Sequence, residues 1–343
     1  MVNSRAASWL LESDDPSIRY LTLTQVLRKP QDSAEAQAAR KRIPYGPKVR
    51  VLLSGQRSDG GFGVHPYQKW TGAHWRLVAL VELAIPPGNR KAVKATDQVL
   101  KWLVGPGHLS GVKKINGLTR RCASQEGNAL GVCSYMGLAD ESRVRQLAES
   151  LVEWQWPDGG WNCDRREDVK HSSFNESLAT LWGLVEYYRA TGDKDCRRAM
   201  DNAAEFFLRH HIFLSCRTGE ARRPETFHSS VCRNVHKFTQ LHYPLYWHYD
   251  VLQALRILHL AGKLGDPRTK EALDIVESKR LKDGRWQAEG YYWSLKRTVH
   301  PKHSVSNVDI VDWGRGGPNE MITLNALRVL KAAGRISSRS SVP

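Results

Sequence analysis

The feature that most constrains the fold is a short motif, an Asp-Gly turn followed by an aromatic residue, that recurs along the chain. Its three copies are GQRSDGGFG (55–63), WQWPDGGWN (154–162) and KRLKDGRWQ (279–287). Their aspartates, Asp59, Asp158 and Asp283, are 99 and 125 residues apart. This spacing fits a repeating unit of about 50 residues, with unmarked units between the marked ones. Glycine permits a tight turn, aspartate can cap a helix start and a buried aromatic fixes the packing.

The segments around the motifs have the period of amphipathic helices. Apolar residues recur at i, i+3, i+4 and i+7 in seven runs: 72–84, 126–138, 141–155, 172–188, 196–211, 249–262 and 322–334. Several of these runs end in glycine or are followed by Asp-Pro, which are helix stop signals. We find no convincing strand pattern. The sequence therefore predicts an all-α protein built from helical hairpins.

The Asp-Gly-aromatic motif resembles the QW repeat of the terpenoid cyclase and protein prenyltransferase β-subunit superfamily, over roughly residues 45 to 335. In that superfamily about six helical hairpins close into an α/α toroid, and the motif joins neighbouring helices. The resemblance implies one toroid domain over residues 46–343, with residues 1–45 as an N-terminal helical extension. It also implies that Trp154, Trp156 and Trp161 are structural.

Two cysteines and a histidine form a candidate zinc site. Prenyltransferase β-subunits hold a catalytic zinc with an Asp, a Cys and a His near helix starts. RCASQEGNALG resembles the Cys-bearing start, which maps that ligand onto Cys122, and KHSSFNESLATLWGL maps the His onto His171. The Asp is lost, because Arg120 stands two residues before Cys122, and we predict that Cys163 replaces it. Two thiolates and an imidazole suit zinc. The alternative is that all three are ordinary packing and helix-start residues.

The segment LHYPLYWHYDVLQAL (241–255) is a candidate substrate surface. Its aromatic residues could contact a polyprene chain and stabilise a carbocation through cation–π contacts. The substrate-binding candidates are Tyr246, Trp247 and Tyr249, and the catalytic candidates, which could also supply a further metal ligand, are His242 and Asp250. Alternatively, these aromatics only fill the wall of the fold.

The Asp-x-Asp-Asp signature of cyclases that protonate an alkene is absent, so the chain resembles a divergent member of the superfamily. Asp309 and Asp312, in NVDIVDWG (307–314), are further catalytic candidates. The surrounding segment, 291–320, has no clear period, and such long connections are often functional. Its basic residues could bind a diphosphate: Lys296, Arg297 and Arg315. An ordinary surface loop is the alternative.

The net charge of +16, from 51 basic and 35 acidic residues, favours an anionic partner. An isoprenoid or other anionic small molecule fits this charge, and so does peripheral contact with an acidic membrane. No nucleic-acid-binding motif is recognised. Six cysteines in 343 residues do not form a disulfide framework. Neither a signal peptide nor a spanning apolar run is found, which predicts a cytoplasmic location.

The function predicted from these features is an isoprenoid-processing enzyme of the terpenoid cyclase or prenyltransferase type. Its substrate, which could carry a diphosphate, would occupy an aromatic-lined cavity, and zinc would assist the reaction. A zinc enzyme of unrelated chemistry, such as a hydrolase, is one alternative on the same scaffold. The other is a non-catalytic basic toroid that binds nucleic acid or an acidic protein. Protein prenyltransferases require an α-subunit, and the sequence does not indicate whether this chain has such a partner.

Overall fold

The structure is a computed structural model that describes residues 2–216, 232–234, 236–295 and 308–336. Over these ranges the chain is mostly helical, and its few strands form two short hairpins. The all-α class predicted from the helical period is therefore confirmed. Among the described helices, none has the length and apolar character needed to cross a lipid bilayer.

The elements are as follows in chain order. The first helices are α1 (Val2–Leu11), α2 (Pro16–Leu21), α3 (Ala34–Arg42), α4 (Pro47–Leu52), α5 (Ala73–Glu82), α6 (Arg90–Leu103) and α7 (Pro106–Leu109). The later helices are α8 (Ser124–Tyr135), α9 (Ser142–Glu153), α10 (Phe174–Thr191), α11 (Lys194–Arg209), α12 (His236–Thr239), α13 (Val251–Leu260), α14 (Lys270–Ser278) and α15 (Glu320–Ala332). Single turns of π-helix or 3-10 helix occupy Thr22–Val26, Ile43–Tyr45 and Pro267–Thr269.

Two antiparallel hairpins interrupt the helices. The strands are β1 (Lys113–Ile115), β2 (Leu118–Arg120), β3 (Leu214–Cys216) and β4 (Cys232–Asn234). In the first hairpin Lys113 is opposite Arg120, and in the second Cys216 is opposite Cys232. Asn116 and Gly117, which join β1 to β2, both have positive φ, as a two-residue hairpin turn requires. The helical prediction missed this hairpin, although Asn-Gly is a known sequence signal for a two-residue hairpin turn.

The chain forms two compact units. Unit 1 comprises Met1–Gln98, Leu241–Tyr246 and Leu273–Pro343, and unit 2 comprises Val99–Gln240 and Trp247–Ala272. In unit 1, α1 and α2 pack against α15, near the other end of the chain. The segment predicted as an N-terminal extension therefore shares a core with the last described helix.

The three Asp-Gly turns have the same internal hydrogen bonds. In each, the residue two before the aspartate donates its N–H to the carbonyl of the residue two after it, at 2.8–2.9 Å. The aspartate carboxylate accepts the N–H of that second residue: Gly61, Gly160 and Arg285, respectively. Because these contacts depend only on the local sequence, the motif reproduces the same turn at all three positions.

A glutamine ties each of the first two turns to a neighbouring helix. Gln56 donates its amide to the carbonyls of Gly60 and Lys91, at 3.0 and 2.8 Å. Gln155 donates to Gly159 and to Ala199 in α11, both at 2.8 Å. The third turn has an arginine, Arg280, at the glutamine position. These contacts explain why a glutamine precedes the aspartate by three residues in both of the first two copies.

The motif tryptophans connect the second and third turns to the helices on either side. Trp161 Nε1 donates to the carbonyl of Leu151 in α9, at 2.9 Å, and its backbone N–H donates to Ser177 Oγ in α10, at 3.0 Å. Trp286 makes the same two bonds, to Val276 in α14 and Thr323 in α15. Both indoles are fully buried, and Trp154 and Trp156 are also buried. Buried tryptophans in such positions have a structural role.

Helices α8 and α10 of unit 2 approach each other backbone to backbone. A Cβ added at Gly127 would lie 2.5 Å from the Cα of Thr180, and one at Gly183 would overlap the carbonyl oxygen of Gly127. A Cβ added at Gly131 would lie 3.0 Å from the ring of Trp182, which is a side-chain contact. Only glycine allows the backbone contact, and the contact brings the first turns of both helices together.

Candidate metal centre

Cys122, Cys163 and Glu176 come together in unit 2 from three separate segments. Cys122 precedes α8, Cys163 follows the second Asp-Gly turn and Glu176 lies in the first turn of α10. Their two Sγ atoms and a carboxylate oxygen lie within 4.8 Å of one another. The Cys163 thiol donates a hydrogen bond to Glu176 Oε1 at 3.5 Å. The sequence predicted the two cysteines as metal ligands, but it did not predict Glu176.

Backbone contacts explain why the three side chains meet. Arg120, at the end of β2, forms a parallel bridge with Asn162, and the N–H of Arg121 donates to the Asn162 carbonyl at 3.0 Å. Cys122 and Cys163 directly follow these paired residues. Glu176 Oε2 accepts the N–H of Ser124 at 3.0 Å, at the start of α8. A carboxylate is favoured there, because the first N–H groups of a helix are unpaired and carry partial positive charge.

The three groups influence one another's protonation. The hydrogen bond from Cys163 lowers the pKa of the Cys122 thiol, and the same bond raises the pKa of Cys163. Burial raises the pKa of the Glu176 carboxyl above its ordinary value. The pair of thiols therefore holds one proton more tightly than the other, and burial makes the ionised form of Glu176 more costly than it is in water.

A buried charged network lies one helical turn beyond Cys122. Glu126 Oε1 accepts a hydrogen bond from Arg121 Nε at 2.8 Å and lies 2.9 Å from His108 Nε2. The Glu126 side chain is only 1% exposed, and its Oε2 has no hydrogen-bond partner among the described residues. Buried polar atoms usually have a partner. An unsatisfied carboxylate oxygen at this position therefore suggests a polar group that is brought by a ligand or by water.

His171, predicted as the third metal ligand, is exposed and lies outside the cluster. Its neighbour Ser172 donates its N–H and its hydroxyl to the Asp158 carboxylate, at 2.7 and 2.6 Å. Ser173 is the N-cap of α10. These contacts fix the backbone so that the side chain of Glu176, one turn further on, is buried while that of His171 is not. The third member of the cluster is therefore Glu176 rather than His171.

Sequence reasoning missed Glu176 because its local pattern has a more ordinary interpretation. Ser173 and Glu176 have the spacing of a capping box, in which the glutamate would turn back to the N-cap N–H. In the structure, Glu176 instead reaches across to Ser124 of another helix. The close contact at Gly127 and Gly183, which is visible only in three dimensions, makes this possible.

The donor set fits zinc. Two thiolates and a carboxylate are among the ligands zinc takes in proteins, and three protein ligands leave one coordination position open. In a tetrahedral site with Zn–S bonds of about 2.3 Å, neighbouring ligand atoms lie about 3.8 Å apart. The two Sγ atoms and the carboxylate oxygen lie within 4.8 Å of one another, so small side-chain rotations could bring them to that geometry. Both cysteines are partly exposed, so a cation could reach them.

Two further candidates from the sequence, Tyr246 and Asp309, are in contact within unit 1. The Tyr246 hydroxyl donates to Asp309 Oδ2, and Trp313 Nε1 donates to the same oxygen at 2.9 Å. Asp309 Oδ1 accepts the N–H groups of Ile310 and Val311. The Tyr246 ring stacks on Trp70, with centroids 3.7 Å apart. Asp309 is thus a buried carboxyl with aromatic neighbours.

Burial raises the pKa of Asp309 from 3.8 to about 6, against the opposing effect of its hydrogen bonds and of Arg76. The folded protein therefore binds this proton more tightly than the unfolded protein does. The stability that results is fully present below about pH 4 and is lost as the pH rises through about 6. A shift of about two pH units corresponds to at most about 3 kcal/mol.

We expect Asp309→Asn to remove this dependence, because an amide does not titrate. The free energy of unfolding of the wild type, relative to that of the variant, should fall by about 2–3 kcal/mol between pH 4 and pH 7. Urea denaturation of both proteins across this range measures it. Asp312→Asn is the control, since Asp312 is exposed and only accepts the N–H of Gly314. A wild-type-minus-variant difference that does not change with pH would contradict the expectation.

The other candidates in the 241–255 segment have packing and capping contacts. His242, in unit 1, stacks on Tyr292 at 4.6 Å. Trp247, in unit 2, stacks on His248 at 3.8 Å. Asp250 is the N-cap of α13 and accepts the N–H of Gln253.

Tyr249 lies in the core of unit 2, where its hydroxyl donates to the carbonyl of Ile212. Its ring contacts an aromatic cluster that consists of Phe174, Phe207 and Phe238. Burial raises its pKa well above the ordinary value. A residue packed in this way does not face a substrate, so Tyr249 is a core residue and not part of a substrate surface.

Of the three basic residues predicted to bind a diphosphate, only Arg315 can be placed. It is exposed, stacks over Tyr291 and Trp293 and donates to the Trp293 carbonyl. Lys296 and Arg297 lie outside the described residues. Diphosphate binding by these three residues therefore stays a prediction, and Arg315 is held against aromatic rings.

Comparison with known proteins does not assign a family. No family model matches the chain, and no curated protein matches it. Among solved structures, a protein from Actinoplanes is similar, with 16% sequence identity and a TM-score of 0.43. That match covers 97% of this chain and 98% of the other. A likeness at this TM-score carries no argument about fold or function.

Proposed function

We propose that this chain is a zinc-dependent enzyme that acts on an isoprenoid substrate, and that its helical hairpins form an α/α toroid. The observation that carries the proposal is the convergence of Cys122, Cys163 and Glu176. Glu176 accepts hydrogen bonds from Ser124 and Cys163, and a cation bound between its carboxylate and the two sulfurs would stabilise its ionised form further. Zinc would be bound by all three groups, and when bound it supplies a Lewis acid.

The isoprenoid part of the proposal rests on two supports. The first is the resemblance of the Asp-Gly turns to the QW repeat, together with the identical hydrogen bonds of the three copies. The second is the aromatic surroundings of Asp309 in unit 1, where Trp70 and Tyr246 stack. Aromatic faces suit an apolar chain that develops positive charge. The net charge of +16 suits a diphosphate.

Zinc-dependent hydrolysis is a second candidate, favoured by one observation. Glu126 presents a buried carboxylate oxygen without a partner, four residues after Cys122, and Arg121 and His108 hold its other oxygen. A carboxylate fixed in this way is suited to accept a proton from a polar substrate. Calorimetric titration of the zinc-loaded protein with farnesyl diphosphate separates the two candidates. Binding supports the isoprenoid enzyme, and zinc binding without any response to the diphosphate supports the hydrolase.

The metal site is tested by elemental analysis of the protein purified with zinc. We expect about one zinc per chain, and each of Cys122→Ser, Cys163→Ser and Glu176→Gln should weaken zinc binding at least about 100-fold, since each removes a direct ligand. Competition with a chromogenic chelator gives the affinities.

Two control variants sharpen this test. Cys133→Ser removes a buried thiol that is not a member of the cluster, and His171→Ala removes the exposed histidine of the sequence-based ligand set. Both should keep full zinc. Loss of zinc in His171→Ala would restore the sequence-based ligand set, and a parent protein without zinc would end the metal proposal.

A further inference from the structure

We propose that Cys122 and Cys163 form a dithiol that a hydroperoxide oxidises to a disulfide, and that this oxidation releases the bound metal. The first half depends only on the two cysteines. The second half rests on the proposed zinc site, because it concerns the same two ligands. The site would then be a reactive one as well as a binding one, and peroxide would control whether the metal is held.

Backbone pairing places the two cysteines next to each other. Arg120 bridges to Asn162, and the N–H of Arg121 donates to the carbonyl of Asn162. Paired strands lie about 4.8 Å apart, and a disulfide needs Cα atoms about 4.4–6.8 Å apart. Cys122 and Cys163 follow immediately on these paired segments, and their Sγ atoms already lie within 4.8 Å of each other. The spacing of paired backbone segments thus falls in the range that a disulfide needs.

The two thiols are also more accessible than the other cysteines whose side chains are described. Cys122 and Cys163 are partly exposed, whereas Cys133 and Cys196 are 1% and 2% exposed. Partial exposure is the environment of reactive cysteines, and full burial in apolar surroundings is that of inert ones.

The reaction balances with one peroxide per pair. The sulfur of Cys122 attacks a peroxide oxygen, so that an S–O bond forms, the O–O bond breaks and the leaving oxygen takes up a proton as water or an alcohol. Cys122 is now a sulfenic acid, oxidised by two electrons, and the peroxide is reduced. The sulfur of Cys163 then attacks the sulfur of Cys122, and the S–O bond breaks. The hydroxide leaves as water with the proton of Cys163.

The product cannot hold zinc in the same way. A disulfide offers no thiolate, and Glu176 alone would remain of the three ligands. Oxidation of the pair should therefore release the metal. Conversely, bound zinc should slow the oxidation, because both sulfurs are then engaged as ligands.

The test uses metal-free protein, one equivalent of hydrogen peroxide and peptide mapping by mass spectrometry. We expect a linked peptide pair that contains Cys122 and Cys163 and has lost two hydrogen atoms, while Cys133 and Cys196 stay reduced. A second sample carries Cys216→Ser and Cys232→Ser, because these residues are opposite each other in β3 and β4 and could oxidise separately. It should give the same linked peptides.

A third sample, Cys163→Ser, separates pairing from simple oxidation. Without its partner, Cys122 should stop at the sulfenic acid, which dimedone traps. If Cys122 and Cys163 stay reduced, or both reach sulfinic acid without a link, the proposal is overturned.

Zinc-loaded protein completes the test. The appearance of the disulfide should coincide with zinc release, followed with a chromogenic chelator. A disulfide that forms in a protein unable to bind zinc would refute the metal function and the release, but not the dithiol. Zinc binding without a disulfide would refute the dithiol alone.

Discussion

Gly127→Ala should destabilise the protein by about 3 kcal/mol and weaken zinc binding at the same time. The added methyl group would lie 2.5 Å from the Cα of Thr180, which is backbone and cannot rotate away. Overpacking of a tight contact costs about 1–3 kcal/mol, and a clash with backbone is at the upper end. To relieve the clash, α8 and α10 must move apart, and this movement separates Cys122 from Glu176.

Urea denaturation and chelator competition on the same preparations measure both effects. Gly107→Ala is the matched control, because a Cβ there meets nothing within 4 Å and Gly107 is exposed. It should change the free energy of unfolding by less than about 1 kcal/mol and leave zinc affinity unchanged. If Gly127→Ala behaves like Gly107→Ala, the helix contact does not position the site.

Trp161→Ala should destabilise by about 3–5 kcal/mol, the cost of removing a large buried aromatic. The indole is 1% exposed, and its loss also leaves the carbonyl of Leu151 without its donor. Trp286→Ala should cost a similar amount, because Trp286 makes equivalent bonds to Val276 and Thr323. Tyr45→Ala, at a ring that is 77% exposed, is the control and should be nearly neutral. A loss below about 1 kcal/mol in either tryptophan variant would mean that the motif does not anchor its helices.

Sequence reasoning succeeded where structure depends on local contacts. The helical period and the Asp-Gly turns predicted an all-α chain, and the turns repeat because their hydrogen bonds join residues at most four apart. The β1–β2 hairpin was missed although its Asn116-Gly117 turn is a local signal. The information for this turn is local, because asparagine and glycine adopt the positive φ values that the turn needs.

The candidate site was predictable only in part, since it depends on which side chains turn inward. Two cysteines near predicted helix starts were enough to suggest a metal site. The sequence could not decide between His171 and Glu176, which are five residues apart, because the contacts of Ser172 and Ser173 determine which one is buried. The contact between Tyr246 and Asp309 spans 63 residues and had no sequence signal.

X-ray absorption at the zinc edge, on protein loaded with one equivalent of zinc, tests the central claim most directly. The account predicts two sulfur scatterers at about 2.3 Å and oxygen or nitrogen scatterers at about 2.0–2.2 Å. Cys163→Ser should reduce the sulfur count to one, and His171→Ala should leave the spectrum unchanged. A first shell of oxygen and nitrogen alone, or the parent spectrum retained in Cys163→Ser, would show that zinc is not held by Cys122, Cys163 and Glu176.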